Sequence, residues 1–138
     1  MMYLLSSVSP VAVVLAALSN MLVGMIWYSS SVFGPLWMKW TGTTKQSMRG
    51  AVGPAYAVSI GASILSALVL AQIFALIDVR SLAQAWLITV ELWLGFCVTF
   101  QFVHAFFERR NKQLILLYLG HELAVLLAMA TVLRLVLQ

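Results

Sequence analysis

The chain has 138 residues, of which 63% are hydrophobic and 9% are charged, and its formal net charge is +4. A soluble domain carries about a quarter charged residues, so this chain lacks the charged groups to cover a water-facing surface. The mean hydropathy of +1.01 indicates one domain that is embedded in a membrane. The single cysteine, Cys97, excludes an internal disulfide and any cysteine-based metal cluster.

Four apolar segments are each long enough to cross the hydrocarbon core of a bilayer, which takes about 20 residues of helix. They cover residues 9–33, 52–77, 82–107 and 114–137. Each segment is too long and too continuously apolar for a strand of a membrane barrel. We therefore predict an all-α fold, in which residues 1–138 form a single integral membrane bundle of four transmembrane helices.

The loop after the first predicted helix carries aromatic side chains beside a lysine. Trp37 and Trp40 flank Lys39, and Pro35 suits the first turn of a helix. Tryptophan and tyrosine favour the headgroup level of a bilayer. We predict an interfacial aromatic segment over residues 34–41. The expected interfacial anchors are Trp27, Tyr28, Trp37 and Trp40.

The basic residues are distributed unevenly between the loops. Six of the eight Lys and Arg residues lie in the first and third loops, over residues 34–50 and 108–113. Two predicted crossings separate these loops, so both lie on one side of the membrane, and the positive-inside rule makes that side cytoplasmic. Both termini are then expected outside. The same rule accounts for the net positive charge, so no nucleic-acid partner is inferred.

Small residues recur at helical spacing on the first two predicted helices. Gly24 lies one turn from Asn20, and Gly53, Ala57 and Gly61 are spaced by four residues. Small residues let helix backbones approach closely, so these positions predict helix packing, either within the chain or between copies. The amide of Asn20 either hydrogen-bonds a neighbouring helix or forms a polar wall of a cavity, because burying it unpaired is costly.

The third predicted helix carries a polar stripe. Gln101, His104 and Glu108 are spaced by three and four residues, so they share one face of the helix. Glu91 lies deeper and on a different face, where Arg134 of the antiparallel fourth helix is a candidate ion-pair partner. Structural hydrogen bonds and interfacial ion pairs are the alternative interpretation of all these groups.

The fourth predicted helix contains His121 followed by Glu122, whose side chains point about 100° apart. Counting 1.5 Å per residue puts His121 level with the stretch from Gln101 to His104. We predict that His104, Glu108 and His121 share one pocket that opens to the cytoplasm. Such a pocket suits structural hydrogen bonding, a proton or ion relay or, without a diagnostic spacing, a divalent transition metal. No other cofactor is expected.

Several blocks of the sequence resemble one known family. They are Asn20, Gly24, Trp27-Tyr28-Ser29, Phe33-Gly34 and Trp37-Met38, with Phe107-Glu108 before the basic loop and His121 in the last helix. The chain is similar over nearly its whole length to the bacterial membrane proteins catalogued as domain of unknown function 1761. One departure is Ser30, where that family frequently has proline. The resemblance implies a four-helix bundle in the bacterial inner (cytoplasmic) membrane, and it implies no activity.

Three classes of function remain open at this stage. An oligomeric transporter or channel-like protein for an ion or small solute is favoured over an accessory or scaffold subunit of a larger membrane complex. A membrane-embedded metal-dependent enzyme is less favoured, because the sequence shows no activated nucleophile. The expected partners are the lipid bilayer and either further copies of the chain or other subunits. The candidate pathway residues are Asn20, Glu91, Gln101, His104, Glu108, His121 and Glu122, and no catalytic residue is assigned.

Overall fold

The computed structural model describes residues 8–44, 46–48, 52–108 and 111–136, and every regular element in these ranges is a helix. The helices are α1 (Pro10–Trp27), α2 (Gly34–Thr41), α3 (Val52–Leu76), α4 (Leu82–Leu92), α5 (Thr99–Phe107) and α6 (Lys112–Val136). A π-helical segment, Trp93–Val98, joins α4 to α5 without a break. Four helical stretches are therefore long and apolar enough to cross a membrane, which confirms the predicted fold class.

The first helix ends at Trp27, six residues before the predicted boundary at Phe33. It begins where the Ser9 hydroxyl accepts a hydrogen bond from the backbone N–H of Ala12 at 3.4 Å. At the other end, the backbone N–H of Phe33 donates to the carbonyl of Trp27 at 3.0 Å and closes a tight reversal. Three consecutive serines occupy this reversal, and serine hydroxyls compete with helical backbone hydrogen bonds.

The aromatic segment forms the short helix α2, as predicted, with a proline in its first turn. Gly42 ends it in the left-handed conformation that glycine adopts without strain. The indole Nε1–H of Trp37 donates to the hydroxyl of Tyr118 on α6 at 3.1 Å, so α2 docks on the start of α6. We call this end of the bundle, where α2 and the start of α6 lie, the loop end.

The third membrane-spanning stretch is interrupted by the π-helical segment, which the sequence analysis did not predict. A π-helix turns more widely than an α-helix and often appears as a single turn at a functional site. Gly95 lies within it, and the hydroxyl of Thr99 donates to the Gly95 carbonyl at 2.6 Å. The indole of Trp93 donates to the carbonyl of Leu119 at 3.1 Å, which fixes the segment against α6.

Helix α6 is the centre of the bundle, and it packs against α1, α3 and the stretch from α4 to α5. The main core lies in the half of the bundle away from the loop end and consists largely of alanines that allow close approach of the backbones. Its fully buried members are Ala12, Ala16, Ala67, Ala71, Ala85, Met129, Ala130 and Leu133. A smaller cluster of Ala105, Ile115 and Leu119 closes the loop end.

Helix α3 uses one of its two faces of small residues within the bundle. Ser63, Ala67 and Ala71 are buried, whereas Ala57 and Gly61 are exposed. A methyl group added at Gly53 or Gly61 would meet no atom within 4 Å. The second row of small residues therefore lies on the outer surface, and packing through it between copies stays a prediction.

The basic residues that determine the predicted orientation lie mostly outside the described residues. These are Lys45, Arg49, Arg109 and Arg110. The docking of α2 on the start of α6 places the first and third loops at the same end of the bundle, as expected. Which side of the membrane that end faces stays a prediction.

Candidate functional site

Five polar side chains lie close together near the middle of the length of α6. We call them the polar belt: Asn20, Ser63, Gln101, His121 and Glu122. Glu122 lies ten residues, or about 15 Å, from the first residue of α6, which is 25 residues long. An ionisable group at such a depth is costly, and it usually faces protein or a water-filled cavity.

The carboxylate of Glu122 is only half satisfied within the described part of the chain. Its Oε1 accepts a hydrogen bond from the amide Nε2–H of Gln101 at 2.9 Å. Its Oε2 is buried and has no hydrogen-bond partner among the described residues. An ionised carboxylate offers about four acceptor positions, so Glu122 keeps unused capacity for a proton or a cation.

A groove of about 510 Å³ leads from Glu122 toward the loop end along α5. Its walls include Cys97, Phe100, Gln101, His104, Glu108 and Glu122. Near its outer rim, His104 Nδ1 lies 3.9 Å from Glu108 Oε1, and these side chains are 68% and 45% exposed. The groove therefore joins the exposed His104 and Glu108 side chains to the half-buried Glu122.

His121 points away from this groove, toward α1. Its ring lies edge-on to that of Trp27, with centroids 5.9 Å apart, and 5.0 Å from the ring of Tyr28. Its Nε2 is buried without a hydrogen-bond partner in the described residues. The predicted pocket of His104, Glu108 and His121 is thus not formed by these three, and Glu122 stands where His121 was expected. Adjacent helix residues differ by about 100°, and counting depth does not fix that rotation.

Asn20 hydrogen-bonds a neighbouring helix, which was one of its two expected roles. Its amide Nδ2–H donates to the hydroxyl of Ser63 on α3. Ser63 in turn donates to the carbonyl of Ser59 at 2.6 Å. Asn20 also lines two cavities, so it forms part of a polar wall as well.

A cavity of about 360 Å³ connects the two sides of the polar belt. It shares Cys97 and Glu122 with the groove, and it shares Asn20 and His121 with a cavity on the other side of α6. Beyond Glu122 its walls become apolar, with Val125, Leu126 and Met129. The polar lining of these cavities therefore runs from the loop end to Glu122, and the lining beyond Glu122 is apolar.

Glu91 lies apart from the belt and does not form the expected ion pair with Arg134. Its side chain is exposed on the surface of α4. Arg134 instead donates from Nη2 to the backbone carbonyl of Arg80, at the turn between α3 and α4. That turn also holds an exposed ion pair of Arg80 with Asp78, and the hydrogen bond from Arg80 lowers the pKa of Asp78.

The predicted interfacial anchors pack against other aromatic side chains of the protein. Trp27 lies against Phe33, with ring centroids 4.6 Å apart, and its Nε1 is buried without a partner in the described residues. Tyr28 lies edge-on to Trp37, with centroids 5.8 Å apart. Trp40 is half-buried. The aromatic cluster at the loop end therefore forms a wall around His121.

The donor geometry gives the metal-site hypothesis no support. Within residues 8–44, 46–48, 52–108 and 111–136, no three side chains of the types His, Cys, Asp and Glu lie close enough together to hold a metal ion. A structural or catalytic transition-metal site takes at least three such protein ligands. His121 is separated from the His104 and Glu108 pair because it faces α1.

The chain matches one protein-family model, described as "Protein of unknown function (DUF1761)", over residues 11–134. The matched range contains every residue of the polar belt and of the groove. No curated protein and no solved structure matches the chain.

Proposed function

We propose that the chain, which belongs to the DUF1761 family of proteins of unknown function, is a transporter that moves protons, or a small cation that competes with protons, past Glu122. The observation that carries this proposal is the carboxylate of Glu122 in the middle of α6. One of its oxygens accepts a hydrogen bond from Gln101, and the other is buried without a hydrogen-bond partner among the described residues. Intramembrane ionisable residues of this kind mark ion pathways and proton relays in membrane proteins.

The geometry of the groove supports access to Glu122 from the loop end. Imidazole is a common proton shuttle, and His104 lies at the exposed rim beside Glu108. Gln101 lies between this pair and Glu122 along one face of α5. A cation that enters at the rim would therefore meet a carboxylate first, then an amide, then the buried carboxylate.

The apolar side chains beyond Glu122 supply the barrier that a transporter needs. Val125, Leu126 and Met129 lie between the belt and the opposite end of α6. A charge crosses such an apolar layer only at a high free-energy cost. Glu122 would therefore exchange protons or cations with the loop end only, until the bundle rearranges. Access from one side only is the arrangement that alternating-access transporters pass through.

A flux assay on reconstituted vesicles tests this proposal. Purified protein is reconstituted with a pH-sensitive dye inside the vesicles, and a pH gradient is imposed with and without an opposing sodium or potassium gradient. We expect wild-type vesicles to dissipate the gradient faster than protein-free vesicles, and Glu122→Gln to abolish that difference. Glu91→Gln is the matched control, because Glu91 lies on the exposed surface of α4.

Two results would overturn the proposal. One is a wild-type flux equal to that of protein-free vesicles under every gradient. The other is a Glu122→Gln variant that is as fast as the wild type.

A scaffold or accessory-subunit role is the second candidate, and the outer surface of α3 favours it. Ala57 and Gly61 are exposed, and a methyl group added at Gly53 or Gly61 would meet no atom within 4 Å. Small residues on a membrane-facing surface let another helix approach closely. Co-purification of a second membrane protein, lost in Gly61→Leu but kept in Glu122→Gln, would favour this role over transport.

A further inference from the structure

A second cavity, of about 470 Å³, lies beside His121, on a different side of α6 from the carboxylate groove. We call it the lateral notch, and the residues that matter for its chemistry are Asn20, Gly24, Tyr28, Tyr56, Ser59 and His121. In the described part of α3, the buried residues run only from Ser63 to Phe74. The notch therefore opens between α1 and the part of α3 that precedes Ser63. Nearer the loop end the two helices leave a gap that faces the bilayer.

The opening of the notch is apolar and faces the lipid side. Met25 and Tyr56 stand at the opening with 58% and 53% of their surface exposed. Ligand cavities of about 300–1,000 Å³ take compounds of drug size, so the notch has room for a substituted ring. A ligand dissolved in the bilayer would enter it sideways, without passing through water.

The polar groups inside the notch suit an uncharged ligand. Among the residues that the structure describes, no Lys, Arg, Asp or Glu lines it. His121 Nε2 is buried without a partner in the described residues and lies 3.7 Å from where a methyl group on Gly24 would stand. Burial raises the pKa of Tyr28 to about 12, so its hydroxyl keeps its proton. An imidazole, two phenols and a serine hydroxyl are hydrogen-bond donors for a ligand that carries acceptors.

The shape of the notch favours a flat ring. Gly24 leaves the wall beside His121 without a side chain, and the ring of Tyr28 lies 5.0 Å from that of His121. The rings of Tyr28 and His121 pack on each other at this distance, so the space along this wall lies over Gly24. A planar ligand could therefore lie over Gly24 with its acceptors toward the imidazole and the phenols.

We propose that the lateral notch binds the ring of a quinone, an uncharged bilayer-soluble ligand whose two carbonyl oxygens accept hydrogen bonds from His121 and from the tyrosine or serine hydroxyls. This site is distinct from the transport groove, and its occupancy does not depend on Glu122. The proposal concerns binding, and it includes no electron transfer.

Isothermal calorimetry on protein in lipid nanodiscs tests the proposal, with decylbenzoquinone as the probe and empty nanodiscs as the blank. We expect saturable binding of one probe per chain. His121→Phe should weaken it about three- to tenfold, because a single neutral hydrogen bond contributes about 0.5–1.5 kcal/mol. Gly24→Leu should abolish binding by filling the floor of the notch, and Gly61→Leu, on the outer surface of α3, should leave it unchanged.

Each remaining outcome decides against the proposal. Heat that is the same with empty nanodiscs, or that does not saturate, would show partition into lipid only. Binding kept in both His121→Phe and Gly24→Leu would place the probe elsewhere. Displacement of the probe by dioleoylglycerol at equal concentration would show a site for any neutral lipid. Glu122→Gln should bind the probe normally. The flux of that variant therefore tests the transport proposal alone, and probe binding tests the quinone proposal alone.

Discussion

Gly34 lies where the chain reverses between α1 and α2, and its backbone comes too close to the preceding turn for any larger residue. A Cβ at this position would stand 2.6 Å from the carbonyl oxygen of Ser29 and 3.0 Å from its carbonyl carbon. Backbone atoms cannot move aside as the end of a flexible side chain can. The reversal therefore depends on glycine at this position.

We predict that Gly34→Ala lowers the free energy of unfolding by about 1–3 kcal/mol, the usual cost of forcing extra atoms into a well-packed site. The measurement is unfolding in mixed detergent micelles, followed by circular dichroism. Gly53→Ala is the control, since a methyl group there would meet no atom within 4 Å. Equal stability of the two variants would contradict the close approach at Gly34.

The sequence identified which polar residues belong to the candidate site, but it did not identify which of their side chains contact each other. Gln101, His104 and Glu108 were expected on one face of a helix, and they line one groove. His121 was expected in that groove and Glu122 was assigned no partner, whereas the structure has Glu122 in the groove. Helical spacing relates residues within one helix, but the rotation of α6 relative to α5 depends on the packing of the whole bundle.

The π-helical segment Trp93–Val98 sets the rotation of α5 relative to α4. A π turn holds about one more residue than an α turn, so the residues that follow it are rotated by about 100° from their α-helical positions. That rotation brings Gln101 to Glu122. Neither Gly95 nor Thr99 signals a π-helix by itself in a sequence, which is why this element was not predicted.

We predict that deletion of Gly95 restores a continuous α-helix and turns Gln101 away from Glu122. The variant should still fold through the main core, where Ala12, Met129 and Leu133 lie on other helices, although the rotation also turns Ala105 away from the small cluster at the loop end. Its proton flux should fall to that of protein-free vesicles, and its melting temperature should fall only as far as that of an Ala105→Gly control, which weakens the same small cluster without rotating Gln101. A deletion variant with wild-type flux would show that the Gln101 contact has no part in transport.

The two rows of small residues on α3 should respond differently to a bulky side chain. Ala67 is fully buried, so Ala67→Leu should destabilise the fold itself. Gly61 faces outward into open space, so Gly61→Leu should leave the fold intact and disrupt self-association of the protein. Native mass spectrometry and thermal unfolding distinguish these effects. A Gly61→Leu variant with an unchanged oligomer would refute packing between copies through this row.

The architecture of the whole molecule follows from composition, because each apolar segment must be a helix to satisfy its backbone in lipid. The four spans and the short helix α2 were accordingly predictable. The central position of α6 and the gap between α1 and α3 were not, since both depend on which alanines meet across helices. The lateral notch is a consequence of that packing.

The orientation of the molecule in the membrane is predicted from the basic residues of the first and third loops. We expect the loop end, and with it the rim of the groove at His104, to face the cytoplasm. Cysteine placed at position 45 in a Cys97→Ala background should resist an impermeant reagent added outside cells. Labelling of that position from outside would reverse the topology and the direction of access to Glu122.

The exchange of a proton at Glu122 is the step on which the proposed transport depends, and infrared difference spectroscopy measures it directly. Spectra of the reconstituted protein are recorded across a pH titration for the wild type, Glu122→Gln and Glu91→Gln. We predict a carboxyl band that changes with pH in the wild type, persists in Glu91→Gln and is missing in Glu122→Gln. If no pH-dependent band disappears in Glu122→Gln, Glu122 keeps one protonation state and the proposed role is wrong.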